Sequence, residues 1–556
     1  MQFPRRRSPE QQGRHTPNLW PVWLVAPVSL ILVAVLAYGL YHGVDTFLTA
    51  ENPSKKPVSG QDNVKTTVTA LTLVGAVLAG LYAYRKQLLD EGASHRADAT
   101  QLAERYTKAA EQLGHDQAAV RLAGVYAMAR LADDWEEQRR VCVDVLCAYL
   151  RMPYETDTAA EGYMKGEREV RLTIIRTIRD HLQDPAASTT WCGYDLDFTG
   201  AVFDGGDFSG VQLIGGMVSF GGAIFSGGIV DFSNAAFSGS RVNFNHTAFS
   251  GSRVSFMRVD LSGSRVTFNR ANLSAGTIDF YRATLSGGML DFNSAAFTGS
   301  RVNFNRATLS GSRVNFNRAT LSGGMLDFNS AAFTGSRVNF NRATLSGSRV
   351  TFSQARFSSG TVSFDGAILS SGTVDFRRAI FSGATVTLDR ATLTGGTVGF
   401  DGATFSGGTI DFSSAEITGG TLTFVSAELS GGTVGFDGAT FSGGTVDFNG
   451  AEITGGTLTF EWATLSAGVV DFSLATFSGG VIGFSGAEIT GGKLIFELVT
   501  LSGGTVEFSG AVFSTGTIDF RDAALGGSTL NFDGVRIDAA CTVVWGPLPT
   551  IDANQP

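Results

Sequence analysis

Arginine is the residue whose spacing in this chain points to a binding chemistry, because guanidinium groups bind carboxylates and phosphates through paired hydrogen bonds. Seven arginines occupy one position of a 12-residue repeat: Arg241, Arg253, Arg265, Arg301, Arg313, Arg337 and Arg349. Acidic residues recur further along the chain, at Asp411, Asp447, Asp471 and Asp519. The spacing predicts that the arginines form a stripe. They are our candidate interaction stripe for an acidic protein, with anionic lipid as a further contact.

Charge is segregated along the repeats. From Arg241 to Ala355 there are 13 Arg against 4 Asp, and from Arg356 to Phe520 there are 5 basic against 16 acidic residues. One interpretation is that the basic stretch meets a partner. The alternative is that both stretches are solvated side chains multiplied by duplication.

No residue pattern indicates catalysis. No Ser/His/Asp set stands out, and Gly491, Gly492 and Lys493 lack the spacing of a phosphate-binding loop. The acidic residues are dispersed about one per repeat, without the clustering that general acid–base catalysis requires. We therefore predict a protein that is not an enzyme, with no catalytic residue, metal, cofactor or small-molecule substrate. The net charge of −9 also makes nucleic acid an unexpected partner.

The four cysteines are too few and too separated for a disulfide scaffold. They are Cys142, Cys147, Cys192 and Cys541. We predict reduced and mostly buried thiols in a cytosolic domain.

Phenylalanine forms the most regular pattern in the chain. Between Phe208 and Phe532, 28 positions lie 12 residues apart, and all of them are Phe except Leu388. Representative members are Phe208, Phe220, Phe232, Phe244, Phe256, Phe268, Phe280, Phe448, Phe460 and Phe532. Such a ladder indicates one long solenoid over residues 198–533, with Phe stacked on Phe along its core.

Each 12-residue unit contains two short stretches of alternating apolar residues. In the unit that begins at Thr445, these are Val446 with Phe448 and Ala451 with Ile453, followed by Gly455 and a second glycine. Alternation predicts two short strands, and the glycines predict the corners between them. Two units would make a coil of about 24 residues and about 14 coils in all, a rod ~65–70 Å long at a strand spacing of ~4.8 Å. A flatter coil made of a single 12-residue unit is the alternative.

The first turn of the ladder resembles the pentapeptide repeat family. Phe198, Phe203, Phe208 and Leu213 lie five residues apart, with Ala201, Gly206 and Val211 two residues before three of them. The resemblance implies a right-handed quadrilateral parallel β-helix. Beyond Leu213 the steps change to five and seven, a departure from the strict family pattern. The stretch from Glu111 to Trp135, with the apolar segments before it, also resembles actinobacterial membrane-associated members of this family.

Two uncharged apolar stretches near the N-terminus predict transmembrane helices at 19–41 and 66–84. A cleaved signal peptide is the alternative for the first. Basic residues before the first stretch and after the second place both termini in the cytoplasm. We thus expect a basic cytoplasmic tail at 1–18, an external loop at 42–65 and a multi-pass protein of the cell membrane, with its solenoid cytoplasmic.

Between the apolar stretches and the ladder, residues 85–190 read as a small α-helical adaptor, similar to a HEAT-type helix pair, with a helix predicted over Glu167–Leu182. One apolar stripe contains Leu122, Tyr126, Ala129 and Ala132. Core packing is the favoured interpretation of that stripe, and a groove for a partner helix is the alternative. Residues 534–556 are expected to form a C-terminal cap and tail.

The favoured functional hypothesis is a membrane-anchored scaffold or protein-interaction module on the cytoplasmic face, with an unknown protein partner. A first alternative, implied by the resemblance, is a DNA-mimic regulator of a DNA-binding enzyme such as gyrase. A second alternative is a surface-exposed adhesive solenoid.

Overall fold

A computed structural model describes residues 22–50 and 60–548, which form helices first and short strands afterwards. The helices are α1 (Val22–Ala50), α2 (Gly60–Leu113), α3 (Ala118–Asp134), α4 (Arg139–Arg151, preceded by a 3₁₀ turn at Glu136–Gln138) and α5 (Glu167–His181). The helix predicted at Glu167–Leu182 therefore ends one residue earlier than expected. The chain divides into two compact units, residues 1–104 and 105–556.

In the first unit, one stretch of the described residues, Thr67–Gln87, is long and apolar enough to cross a membrane. The first predicted span, 19–41, begins outside the described residues, and α1 contains its remainder. The predicted loop 42–65 is helical at both of its described ends, because α1 continues to Ala50 and α2 begins at Gly60. The predicted tail at 1–18 lies outside the described residues.

In the second unit, a buried carboxylate joins three helices. Glu167 of α5 lies 3.2 Å from Arg121 Nη2 of α3 and accepts hydrogen bonds from Arg171 Nε at 3.0 Å and Tyr149 Oη at 2.9 Å. These four side chains are all buried. A charge removed from water is stable when it is paired and hydrogen-bonded, so this group fixes the packing of α3, α4 and α5.

The stripe predicted on α3 has a mixed environment. Ala129 and Ala132 are buried, which confirms core packing for them. Tyr126 is 57% exposed and lines a groove with Arg105 and Lys108. Core packing thus holds for the two alanines, and the groove for a partner helix stays a prediction for Tyr126.

The cysteines of α4 are buried and free, as expected. Burial raises the pKa of Cys142 to about 11 and that of Cys147 to about 12. Cys192 and Cys541 are half-buried and also free.

The remainder of the second unit is a parallel β-solenoid of about 15 turns with about 24 residues per coil, in which each strand pairs with the equivalent strand of the next coil. The prediction that two repeats make one coil is confirmed, and the 12-residue alternative is wrong. Each coil has four sides. In one coil, side one contains Arg313–Asn315, side two Thr320–Ser322, side three Met325–Asp327 and side four Ala332–Thr334.

The strands of the solenoid are short, and equivalent strands recur on the same side. The strands of side one are Leu196–Asp197, Met217–Ser219, Arg241–Asn243, Arg265–Thr267, Met289–Asp291, Arg313–Asn315, Ser336–Asn339, Gly360–Ser363, Thr433–Gly435, Thr457–Thr459 and Thr529–Asn531. The strands of side two are Val202–Phe203, Ile224–Phe225, Ala248–Ser250, Asn272–Ser274, Ala296–Thr298, Thr320–Ser322, Thr344–Ser346, Ile368–Leu369, Thr392–Leu393, Glu416–Ile417, Glu488–Ile489, Val512–Phe513 and Arg536–Ile537. The strands of side three are Gly206–Asp207, Ile229–Asp231, Arg253–Ser255, Thr277–Asp279, Arg301–Asn303, Met325–Asp327, Arg349–Thr351, Thr373–Asp375, Thr397–Gly399, Thr421–Thr423, Lys493–Ile495, Gly516–Asp519 and Cys541–Val544. The strands of side four are Gln212–Ile214, Ala236–Ser238, Thr284–Ser286, Thr308–Ser310, Ala332–Thr334, Arg356–Phe357, Glu428–Leu429, Glu452–Ile453 and Ala524–Leu525.

Longer strands run through a corner and belong to two sides. Four of them join side four to side one: Ile380–Thr387, Thr404–Asp411, Thr476–Gly483 and Thr500–Glu507. Two join side two to side three: Thr440–Asp447 and Thr464–Asp471. All six lie in the second half of the solenoid.

The core consists of ladders of identical residues. Because a coil contains two repeats, the phenylalanines alternate between two stacks, one including Phe208 and Phe232 and the other Phe220 and Phe244. Rings within a stack are parallel, with centroids 4.6 Å apart at Phe304 and Phe328. The predicted stacking of Phe on Phe is confirmed, but stacked neighbours are one coil apart in sequence rather than one repeat apart.

Both ends of the solenoid differ from the expected bounds. Its strands run from Leu196 to Val544, so Arg536–Ile537 and Cys541–Val544 continue the coil where a cap was predicted. At the other end, α4 and α5 adjoin the first coil. Arg168 pairs with Asp204 at 2.9 Å, and Arg179 pairs with Asp207.

Candidate interaction surface

The seven candidate arginines lie on two sides of the solenoid, and the structure does not bring them together in one stripe. Each lies at the start of a strand just after a corner, Arg337 as the second residue of its strand, and its side chain is exposed. Side one contains Arg241, Arg265, Arg313 and Arg337. Side three contains Arg253, Arg301 and Arg349. Neighbouring repeats therefore project their arginines from different sides of the coil.

On side three, each candidate arginine is paired within the chain. The guanidinium reaches an aspartate at the end of the equivalent strand in the next coil. The distances are 2.8 Å for Arg253–Asp279, 3.1 Å for Arg301–Asp327 and 3.0 Å for Arg349–Asp375. Because these aspartates are buried, the arginines of side three stabilise the fold and are partly neutralised.

Asp375 shows how such a carboxylate remains ionised. Its side chain is 3% exposed, and burial alone would raise its pKa. Hydrogen bonds from Arg377 and Arg349 outweigh burial and hold the pKa of Asp375 below its ordinary value. The site binds a carboxylate supplied by the chain itself.

On side one, the equivalent positions in the next coil are Thr267, Asp291, Asn339 and Ser363. Among the described residues, Arg241, Arg265, Arg313 and Arg337 form no salt bridge: no carboxylate oxygen lies within 4.0 Å of a nitrogen of their guanidinium groups. Asp291 is the one acid in this set. It is buried, and burial raises its pKa despite the nearby charge of Arg265. The guanidinium groups of side one are therefore available to an external partner.

Arginines at the corner between sides one and two add to this basic surface. Arg270, Arg318 and Arg342 have φ of 56°, 56° and 58°, a left-handed conformation in which their side chains are exposed. These residues were not among the candidates from the sequence. The sequence pattern that could have identified them is the triplet Phe-Asn-Arg, as in Phe268, Asn269 and Arg270, which recurs at intervals that are multiples of 12 residues.

The four recurrent aspartates are also divided between sides. Asp411 is on side one, whereas Asp447, Asp471 and Asp519 are on side three. Asp447 and Asp471 are neighbours in adjacent coils. Burial, with repulsion from Asp471 and Asp401, raises the pKa of Asp447.

The net charge of side one and of the corner after it changes from positive to negative halfway along the solenoid. Between Arg241 and Arg342 they contain Arg241, Arg265, Arg270, Arg313, Arg318, Arg337 and Arg342, and one acid, the buried Asp291. Between Thr361 and Gly510 they contain Asp365, Asp389, Asp411, Asp437, Glu461 and Glu507, and one base, Arg390. Side three is less segregated, because its second half contains Arg377, Arg378, Lys493 and Arg521.

No group of three or more His, Cys, Asp or Glu side chains that could hold a metal ion occurs among residues 22–50 and 60–548. The strongest chemical feature of the described surface is therefore the arrangement of its charges on side one.

The fold and this surface define a parallel β-solenoid repeat protein whose Phe stacks are consistent with a pentapeptide-repeat-like fold. No family model, curated protein or solved structure matches the chain.

Proposed function

We propose that the protein is a membrane-anchored, pentapeptide-repeat-like scaffold whose solenoid binds an acidic protein surface through side one. The unpaired arginines of side one support this proposal most strongly. Arg241, Arg265, Arg313 and Arg337 have no carboxylate within 4.0 Å among the described residues, whereas the equivalent arginines of side three are paired. An exposed unpaired guanidinium can form bidentate hydrogen bonds with a partner's carboxylates.

The anchor in this proposal is the apolar stretch Thr67–Gln87, together with the predicted span at 19–41. With both termini cytoplasmic, the solenoid would be displayed on the inner face of the membrane. Proteolysis of the full chain in intact and in permeabilised cells tests this topology. We expect the solenoid to be cleaved only after permeabilisation, and cleavage in intact cells would favour the adhesive alternative.

The binding surface is tested with two matched sets of substitutions in the full chain. One set replaces Arg241, Arg313 and Arg337 of side one by Gln, and the other replaces Arg253, Arg301 and Arg349 of side three. Each set removes three charges, but only the first removes unpaired ones. We expect crosslinking in cells to acidic proteins to be lost with the first set and kept with the second.

Anionic vesicles separate protein binding from lipid binding. If the side-one set abolishes capture of vesicles of about 30% phosphatidylserine by the full chain held in neutral-lipid nanodiscs, while protein crosslinks are unchanged, side one contacts lipid headgroups and the protein-binding proposal is wrong. Equal effects of the two sets on protein crosslinking would also contradict it, because the unpaired state of side one would then have no consequence.

A further inference from the structure

We infer that side one is self-complementary and that two copies of the chain associate through it with their solenoids antiparallel. This inference rests on the proposed role of side one as a binding surface and identifies its partner as a second copy. The starting observation is the change of sign on side one between the coil of Arg337 and the coil of Thr361.

A twofold axis between these two coils, parallel to their strands, brings opposite charges together. Such an axis reverses the order of the coils but preserves the position along each strand, so corner faces corner. The corner of Arg342 then faces the corner of Asp365 in the second copy, and the corner of Arg270 faces that of Asp437. Because both copies have the same coil spacing of about 4.8 Å, the charges remain in register along the contact.

The shapes of the residues at the strand starts are also complementary. Between residues 241 and 337, the five strands of side one begin with Arg, Arg, Met, Arg and Arg, if the extra Ser336 is set aside. The five equivalent positions that they would face contain only threonine: Thr361, Thr385, Thr409, Thr433 and Thr457. A row of long side chains thus meets a row of short ones, which permits close approach of the two sides.

Trp462 supplies a second, independent observation. It occupies the corner after side one, is 73% exposed and has a φ of 57°. In the antiparallel arrangement Trp462 lies opposite the corner of His246 in the second copy, one coil away from the corner of Arg270. Exposed tryptophans are enriched among residues that dominate interface energies, and an indole face attracts a guanidinium.

The arrangement contains two less favourable positions. Asp291 faces Asp411, but Asp291 is buried with 5% of its surface exposed, which weakens the repulsion. Arg318 faces the corner of Arg390, whose charge is offset by its pairing with Asp389 at 3.0 Å. These positions reduce the affinity without reversing the complementarity of the other coils.

Side three does not offer an equivalent surface. Three of its arginines in the first half are paired within the chain, and Lys493 and Arg521 place positive charge in its second half. The contact is therefore expected to use side one specifically.

Crosslinking of the full chain tests the inference. The variant Arg270→Cys/Asp437→Cys places two thiols seven coils apart in one molecule but opposite each other in the antiparallel pair. Its matched control, Arg282→Cys/Asn449→Cys, has the same sequence separation and corner positions on side three. We expect disulfide-linked dimers from the first variant, few from the control, and few from either Arg270→Cys or Asp437→Cys alone.

Salt provides a second readout. Dimer formation should fall by roughly tenfold when the ionic strength rises from about 0.1 M to about 1 M, because the Debye length shortens from about 10 Å to about 3 Å. Equal dimer yields on the two sides, or crosslinking by a single-cysteine variant, would overturn the antiparallel contact.

Charge reversal completes the test without requiring a thiol. An Arg270→Glu/Arg342→Glu chain and an Asp365→Arg/Asp437→Arg chain should each lose self-association, and a mixture of the two should regain it as a heterodimer. Failure of the mixture to associate would also overturn the inference. If crosslinking to other acidic proteins persisted in that case, the proposed scaffold function would stand and only the identity of the partner would be wrong.

Discussion

Individual buried aspartates of the solenoid differ in their hydrogen-bond partners and therefore in their pKa. Asp375 accepts hydrogen bonds from two arginines, whereas Asp291 has a backbone hydrogen bond from Asn293 at 3.2 Å and no salt bridge among the described residues. The pKa of Asp375 is therefore below its ordinary value and that of Asp291 above it. The same position in the repeat thus stabilises the fold in one coil and destabilises it in another.

We expect Asp375→Asn to lower the free energy of unfolding at pH 7 by roughly 3 kcal/mol, because two arginines lose their buried partner. The contribution of Asp375 is present above the ordinary pKa of about 4 and is lost as the pH falls through the lower pKa of the folded state. Denaturant titrations of both proteins between neutral and acidic pH measure this. A difference that stayed constant into acid would contradict the prediction.

Asp291→Asn is expected to do the opposite and to stabilise the chain at pH 7 by roughly 1 kcal/mol, because a charged group no longer has to be buried. The raised pKa of Asp291 means that the wild-type chain recovers this stability as the pH falls through that value. The advantage of the variant should therefore vanish in acid. Thermal melts over the same pH range provide the measurement, with Asp375→Asn as the contrasting variant.

The sequence predicted which residues are exposed arginines but not which of them are paired. Arg301 and Arg337 lie in two copies of one 36-residue segment and have identical neighbours in sequence. Arg301 is on side three beside Asp327, whereas Arg337 is on side one, with Ser363 at the equivalent place. The difference depends on the number of residues per coil, which a 12-residue repeat leaves open.

At the scale of elements, the corners differ between the two halves of the solenoid. In the first half a buried serine, such as Ser312, precedes several strands of sides one and three, whereas in the second half this place is held mostly by glycine, such as Gly408. Five of the six strands that run through a corner, among them Thr404–Asp411, contain a glycine at this place, and the sixth, Ile380–Thr387, contains Ala384. Gly408 has a φ of 89°, and a Cβ there would lie 2.2 Å from the carbonyl oxygen of Ala384.

We expect Gly408→Ala to destabilise the solenoid by about 3 kcal/mol, because its Cβ would overlap the backbone of the preceding coil. Gly510→Ala is the matched control. Its φ is 68° and nothing lies within 4 Å of the added Cβ, so only the left-handed conformation costs energy, about 1 kcal/mol. Chemical denaturation distinguishes the two variants. Equal losses would show that the corner backbone can move aside.

The elements themselves were largely predictable, since a phenylalanine in every repeat and glycine corners require short strands with one buried face. The bounds of the solenoid were less so. The strand Cys541–Val544 contains no phenylalanine, and the ladder therefore ended at Phe532 in the sequence. Backbone pairing with Gly516–Asp519 continues the coil without that side chain.

At the scale of the whole solenoid, the two halves of each coil are equivalent, so the solenoid can be shortened by whole coils or half-coils and still fold. Removing residues 319–342 deletes one coil, and removing 319–354 deletes one and a half. In both cases the flanking phenylalanines rejoin the same two stacks, so we expect both variants to fold and to melt within a few degrees of the parent. Circular dichroism during heating measures this. A deletion of half a repeat, which displaces every buried position, is expected to prevent folding of the distal part.

The two tolerated deletions differ in one respect that stability does not reveal. Loss of one whole coil leaves each later side chain on its side, whereas loss of one and a half carries every later side chain to the opposite one. Duplication of a 36-residue segment, of which Ala283–Arg318 and Ala319–Gln354 are near-identical copies, would have the reverse effect and turn the distal half of the solenoid through half a revolution. One insertion or deletion in the gene can thus move the side chains of half of the solenoid to the opposite side, with no substitution and no loss of the core.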